Sequence, residues 1–168
     1  DELVRILSAA KGPLVILLDE AYHGMEWEDG CYRDSLFHRL HGLDPDRFLV
    51  AKIDGATKEM FFFGGRVGFI TFNAEGEAAR ALEHKVIGTI RSTISALPSL
   101  SQAMVLSALQ DPGLSSQQAA VRDILYRRYL RLRDCLSATD LDYWNFNSAF
   151  FCLVGCKDPE AQRRLLVA

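Results

Sequence analysis

Residues 14–18, Leu-Val-Ile-Leu-Leu, form an unbroken apolar run introduced by Gly12-Pro13 and stopped by Asp19-Glu20. Such a run reads as a strand covered on both faces, as in a parallel sheet with helices on each side. Polar groups then arrive at the strand's carboxyl end, where open α/β sheets keep their sites. A polar, glycine-containing stretch follows to Gly30, then a helix expected from about Arg33 to His41, then a turn at Asp44-Pro45-Asp46. Residues 47–53 predict a second strand ending at Asp54-Gly55. After a loop to Gly65, residues 67–72 predict a third, closed by Asn73-Ala74-Glu75-Gly76.

From there the pattern turns helical. Helices are expected from Ala78 to about Ala96 and from Leu100 to Leu109, divided by Pro98 and ended by Asp111-Pro112-Gly113. Ser115 or Ser116 would cap a long helix in which Val121, Leu125, Leu132 and Leu136 recur near helical spacing. The tail returns to a strand-like run, Ala149 to Val154, and a short helix opened by Asp158-Pro159-Glu160, which begins to bury Leu165 and Leu166. These elements predict a large α/β part over 1–114, a connecting helix over 115–137 and the start of a smaller α+β domain over 138–168.

Composition narrows the classes. With 168 residues, 49% of them hydrophobic and ten Phe, the chain can fill a core, and a net charge of −3 gives no basic excess for nucleic acid. The Arg127, Arg128, Arg131 and Arg133 group reads as a solvated helix face. Cys31, Cys135, Cys152 and Cys156 show no CxxC and no zinc-like spacing with the histidines, so no metal is expected, and His23, His38 and His41 read as solvent-facing. No apolar run is long enough to span a membrane and the opening Asp-Glu-Leu-Val-Arg is unlike a signal peptide, so a reducing cytoplasm is the expected compartment.

Three local signals carry chemistry: Asp19-Glu20-Ala21-Tyr22 after the first strand, Asp54-Gly55-Ala56-Thr57-Lys58 after the second, and Gly64-Gly65-Arg66-Val67-Gly68-Phe69 before the third. Each alone has an ordinary reading, as a loop acid, a solvated lysine and a turn arginine. In this order and spacing they resemble the fold-type I aminotransferases of class I/II, which depend on pyridoxal 5'-phosphate (PLP). Arg91-Ser92-Thr93, Pro98 and Gln102 fall where that family has an Arg/Ser-rich segment and its following helix, and Asn147-Ser148-Ala149-Phe150-Phe151 is similar to the first strand of the family's small domain.

The resemblance implies an aspartate-aminotransferase-like large-domain sheet with helices. It also implies transfer of an amino group between an amino acid and a 2-oxo acid. Asp19 would face the pyridine nitrogen and keep it protonated, and Tyr22 would hydrogen-bond the ring's phenolic oxygen. Lys58 would attach the cofactor covalently and later move a proton, a task that needs a primary amine and excludes arginine. Arg66 would hold the phosphate with paired donors, and Gly64 and Gly65 would let the backbone turn closely.

The family's phosphate loop, ring-stacking aromatic and phenolate-facing Asn precede the Asp-x-Ala-Tyr strand, and only eighteen residues precede Asp19 here. In the family the arginine that grips the substrate carboxylate lies late in the small domain, so it is expected beyond residue 168. The expectation is therefore an internal fragment that works as a homodimer or with a complementing chain. Gly55 stands where some members place a phosphate-binding Ser, with Thr57 as a possible substitute. Two other classes compete. One is a non-catalytic remnant serving as an oligomerising or binding module. The other reads residues 14–20 as the magnesium strand of a P-loop nucleoside triphosphatase, though no Gly-x-x-x-x-Gly-Lys-Ser/Thr loop exists in the chain.

Overall fold

The computed structural model describes residues 2–155, 158–160, 163 and 164. The three apolar runs form the three expected strands, β1 (Leu14–Asp19), β2 (Phe48–Gly55) and β3 (Gly68–Phe72). They make one sheet in the order β1-β2-β3. β1 runs parallel to β2, with Leu14 opposite Phe48 and Asp19 opposite Ile53. β3 runs antiparallel to β2, with Gly68 opposite Gly55 and Phe72 opposite Ala51. Asn73 extends that pairing with its side chain: Val50 N–H donates to its Oδ1 at 2.8 Å, and its Nδ2 donates to the Phe48 carbonyl at 3.0 Å.

Around the sheet lie α1 (Glu2–Ser8), α2 (Phe37–Leu40), α3 (Ala56–Glu59), α4 (Gly76–Thr93), α5 (Ser99–Leu109) and α6 (Leu114–Ser137). The chain divides into two compact units. The first comprises Asp1–Gly24 and Arg33–Gln118, and the second Met25–Tyr32 and Ala119–Ala168. In the first unit, Phe48 and Val50 of β2 and Leu40 of α2 are fully or almost fully buried. A second small core gathers Ala56, Val67 and Val105 of α5, with Met60 and Phe62 packed against it.

In the second unit, Met25, Trp27, Tyr129 and Leu136 are buried. The Trp27 ring lies beside Tyr126 and Tyr129 and donates through Nε1 to the Ala149 carbonyl at 2.6 Å. Trp27 N–H donates to Asn147 O and Ala149 N–H to Met25 O, both at 2.8 Å. The Tyr129 hydroxyl donates to the Glu28 carboxylate. Burial and that carboxylate raise the Tyr129 pKa.

Several expectations are corrected. β1 is covered on one face only: Leu14, Ile16 and Leu18 are half-buried, whereas Val15 and Leu17 are 62% and 65% exposed. Ile53 and Ile70 share that open face by register and are about as exposed as each other, at 40% and 41%. An apolar run reports that a strand can be covered twice, not that it is. The helix expected over 33–41 shrinks to α2, because Asp34 and Ser35 side chains take the local N–H groups of Ser35 and Phe37.

Neither Ser115 nor Ser116 caps α6. Helix α6 starts a residue earlier, Asp111 Oδ1 takes the Gly113 N–H at 2.7 Å, and Ser116 donates back to the Gly113 carbonyl. The tail run 149–154 makes one isolated bridge, Val154 with Tyr143, in place of a strand, and Ser148 just before it bridges to Glu26. Pro159, Glu160, Arg163 and Arg164 are helical, in keeping with the short last helix, while Leu165 and Leu166 lie outside the described residues. Helices α1 and α3 were not expected.

The one-sided burial has a measurable consequence. Leu40→Ala should cost roughly 2–5 kcal/mol by urea unfolding, the usual cost of emptying a filled core site. Leu17→Ala should cost less than about 0.5 kcal/mol at concentrations where the chain is monomeric, because there its side chain faces water. Equal losses at the two positions would contradict the one-sided burial of β1.

Candidate active site

Opposed strand directions collect the chemistry-bearing residues at one end of the sheet. β1 and β2 both finish there, delivering Asp19 as the last residue of β1 and Lys58 in the single turn of α3 that follows β2. Antiparallel β3 starts at the same end, two residues after Arg66. Asp19 and Arg66 are exposed, while Tyr22 and Lys58 are half-buried.

The Asp19 turn is built locally. Asp19 Oδ1 accepts the Ala21 N–H at 3.2 Å, Glu20 N–H donates to the Ile53 carbonyl at 3.0 Å, and His23 N–H returns to the Glu20 carbonyl. Glu20 points to the covered side, where its Oε1 accepts from the buried Ser35 hydroxyl at 2.8 Å. Its Oε2 is buried without a hydrogen-bond partner among the described residues. Lys52 and Asp54, two residues apart near the end of β2, form a 2.8 Å ion pair, and the carboxylate raises the Lys52 pKa against the opposing effect of burial.

The loop from Ala56 to Val67 is closed on itself. Ala56 N–H donates to the Val67 carbonyl, Phe62 N–H to the Ala56 carbonyl and Gly65 N–H to the Phe62 carbonyl, all at 3.1 Å. Gln118 of α6 donates to the Glu59 carbonyl at 2.9 Å, next to Lys58. Two residues of this loop, Phe61 (φ 55°) and Arg66 (φ 54°), hold left-handed backbone, which disfavours side chains larger than glycine and concentrates at functional positions.

The adjacent glycines do different work from that expected. Gly64 has open space around it, and a Cβ on Gly65 would lie 2.1 Å from the Phe62 ring. The requirement is close approach of the half-buried Phe62 ring, and the left-handed turn falls on the arginine itself.

Of the four residues singled out in the sequence, Lys58 and Tyr22 are brought into contact: the Lys58 ammonium lies 5.5 Å from the centre of the Tyr22 ring. Asp19 and Arg66 sit at the same sheet end. Arg66 forms no side-chain hydrogen bond or ion pair among the described residues. Sequence reasoning missed Phe63, whose ring centre is 5.2 Å from the Lys58 ammonium, and Ser35, which anchors Glu20. The Phe61-Phe62-Phe63 run directly after Lys58 was the available signal.

His38 pairs with Asp34 at 2.8 Å, which lowers the Asp34 pKa, and His41 Nδ1 meets the Phe37 and His38 carbonyls. No group of three metal-ligating side chains occurs among the described residues, and no helix in them is long and apolar enough to cross a membrane.

The described residues form a mixed α/β fold with a lysine, an aspartate, a tyrosine and an arginine at one sheet end. The chain belongs to the aminotransferase class I and II family, whose model matches residues 1–167. Members of that family are generally PLP-dependent transferases, and the family's fold is the PLP-transferase fold. A comparison with curated proteins found no match. Among solved structures, the chain is similar to the crystal structure of Pyrococcus protein-A1, with a TM-score of 0.69 at 17% identity. The match covers 91% of this chain and 36% of that chain, and at this identity it speaks to the fold alone.

Glycine substitutions test the loop. Gly65→Ala should destabilise by about 1–3 kcal/mol, since the Phe62 ring must leave its seat against Ala56 and Val67. Gly55→Ser should change stability by less than about 0.5 kcal/mol, because Gly55 is extended (φ −153°) and a Cβ would meet nothing closer than 3.9 Å. Chemical denaturation of both variants checks the contrast.

Proposed function

We propose that this chain carries the cofactor-attaching part of a PLP-dependent aminotransferase site, acting on an amino acid and a 2-oxo acid. The observation that carries the reading is the Lys58 ammonium beside the Tyr22 ring, at the sheet end that also bears Asp19 and Arg66. The donor set suits PLP group by group. Lys58 offers the primary amine for covalent attachment and the base for moving a proton at the substrate Cα. Asp19 offers an exposed carboxylate to hold a proton on the pyridine nitrogen. Tyr22 offers a phenol to the ring oxygen, and Arg66 a guanidinium to the phosphate. Bound PLP supplies the electron sink that makes Cα deprotonation possible.

The reading is tested by titrating the purified chain with PLP, followed by borohydride reduction and peptide mass mapping. The expected result is a single pyridoxyl adduct on Lys58, lost in Lys58→Ala. The same adduct surviving in that variant, or label spread over Lys11, Lys52 and Lys85, would overturn it.

A second element of the proposal concerns association. Val15, Leu17, Ile53 and Ile70 form an exposed apolar face that also carries Asp19. Such a face favours a polypeptide partner, and we take a second copy of this chain as the occupant. Sedimentation equilibrium should give twice the chain mass of 18.8 kDa, and Leu17→Lys should shift the population toward monomer. A monomer at all concentrations would refute pairing through this face.

A further inference from the structure

We propose that Phe63 is a positioning residue for Lys58, an inference that rests on the PLP reading of the same site. Three consecutive phenylalanines follow Lys58, and the closed loop gives each a different task. Phe61 takes left-handed backbone and reverses the chain. Phe62 turns inward, sits over Gly65 and joins the Ala56, Val67 and Val105 core. Phe63 gains little from burial, being 52% exposed. What it contacts is the Lys58 ammonium, 5.2 Å from its ring centre, while the Tyr22 ring meets the same ammonium at 5.5 Å.

Both distances lie within the range in which a cation is attracted to the negative face of an aromatic ring. A long, four-carbon side chain has many rotamers open to it, and each contact at its end group reduces that number. Two rings attracting one ammonium narrow that spread and hold the amine at the sheet end that bears Asp19 and Arg66. Loop closure makes the arrangement durable, because Phe62 is fixed in the core immediately before Phe63. Tyr22 has its own assigned role toward the cofactor, so Phe63 is the residue whose task is the lysine alone.

The test compares Phe63→Leu, which keeps apolar bulk and removes the ring, with Phe63→Tyr, which keeps the ring. Two readouts are taken on the whole chain. The first is reductive methylation by formaldehyde and borohydride without cofactor, scored at Lys58 relative to Lys85 by mass spectrometry. The second is the share of borohydride-trapped pyridoxyl label on Lys58. An amine held against two rings must leave them to meet formaldehyde, so Phe63→Leu should raise the methylation ratio about two- to fivefold, the size of an exposed cation–ring contact. The pyridoxyl share on Lys58 should fall by a similar factor, because directed attachment depends on a held amine.

Phe63→Tyr should match the parent chain in both readouts, and thermal unfolding should be the same in all three proteins. A methylation ratio unchanged in Phe63→Leu, or Phe63→Tyr behaving like Phe63→Leu, would overturn the proposal. A parent chain that takes no pyridoxyl label on Lys58 would sink the PLP reading, and the methylation ratio would still decide the role of Phe63.

Discussion

Everything at the candidate site depends on how β2 is paired. Its parallel register with β1 sets Asp19 opposite Ile53, and its antiparallel register with β3 sets Gly68 opposite Gly55. Those two pairings bring three distant stretches of chain, around residues 19, 58 and 66, to one end of one sheet. Side chains alternate along a strand, so a slip of one residue between β1 and β2 would turn Asp19 to the covered face and Glu20 to the open one. The Glu20–Ser35 hydrogen bond works against that slip, because it gives the Glu20 carboxylate its partner only in the observed register. The Asn73 amide acts at the other end of β2, where it continues the ladder after β3 has stopped.

The loop between β2 and β3 is the second constraint. A twelve-residue excursion carrying a lysine and an arginine would be costly to hold still if it were tethered only at its ends. Here it is tied across its neck by Ala56 and Val67, and from within by Phe62. The left-handed backbone at Arg66 is tolerated because the neck bond and the first pair of β3 fix the residues that follow it. Gly65 is demanded by the same packing, since the ring it lies against leaves no room for a Cβ. The close approach at Gly65 thus follows from packing one phenylalanine against the core.

The strands and their order of polar endings were legible in the sequence, because an apolar run bounded by Asp, Gly or Pro encodes both an element and its termination. The family was legible from three short signals in the right order. The state of each strand's faces was not, since coverage depends on what packs there, and Val15 and Leu17 look the same in sequence whether buried or bare. Helix α2 came out short because two side chains, Asp34 and Ser35, compete for the N–H groups that periodicity assigns to a helix. The tail run 149–154 had strand composition with no continuous neighbour to pair with, and a strand needs a partner more than it needs propensity. Phe63 was passed over because aromatic runs read as core, and only the loop geometry shows that adjacent phenylalanines face opposite ways.

The open face and the candidate chemistry are physically the same matter. Asp19 belongs to the β1 positions that alternate with the covered ones, so it shares its face with Val15, Leu17 and, through register, Ile53. A carboxylate facing water exerts a weak, screened field on a neighbouring cation, whereas the same carboxylate under a dry cover exerts one several times stronger. On the proposed reading, Asp19 has to hold a proton on a ring nitrogen, which is work for a shielded charge. Covering the apolar stripe beside it supplies that shielding. The residues that make this face sticky are therefore also the ones whose burial would strengthen the carboxylate at their end, and association and cofactor binding would each favour the other.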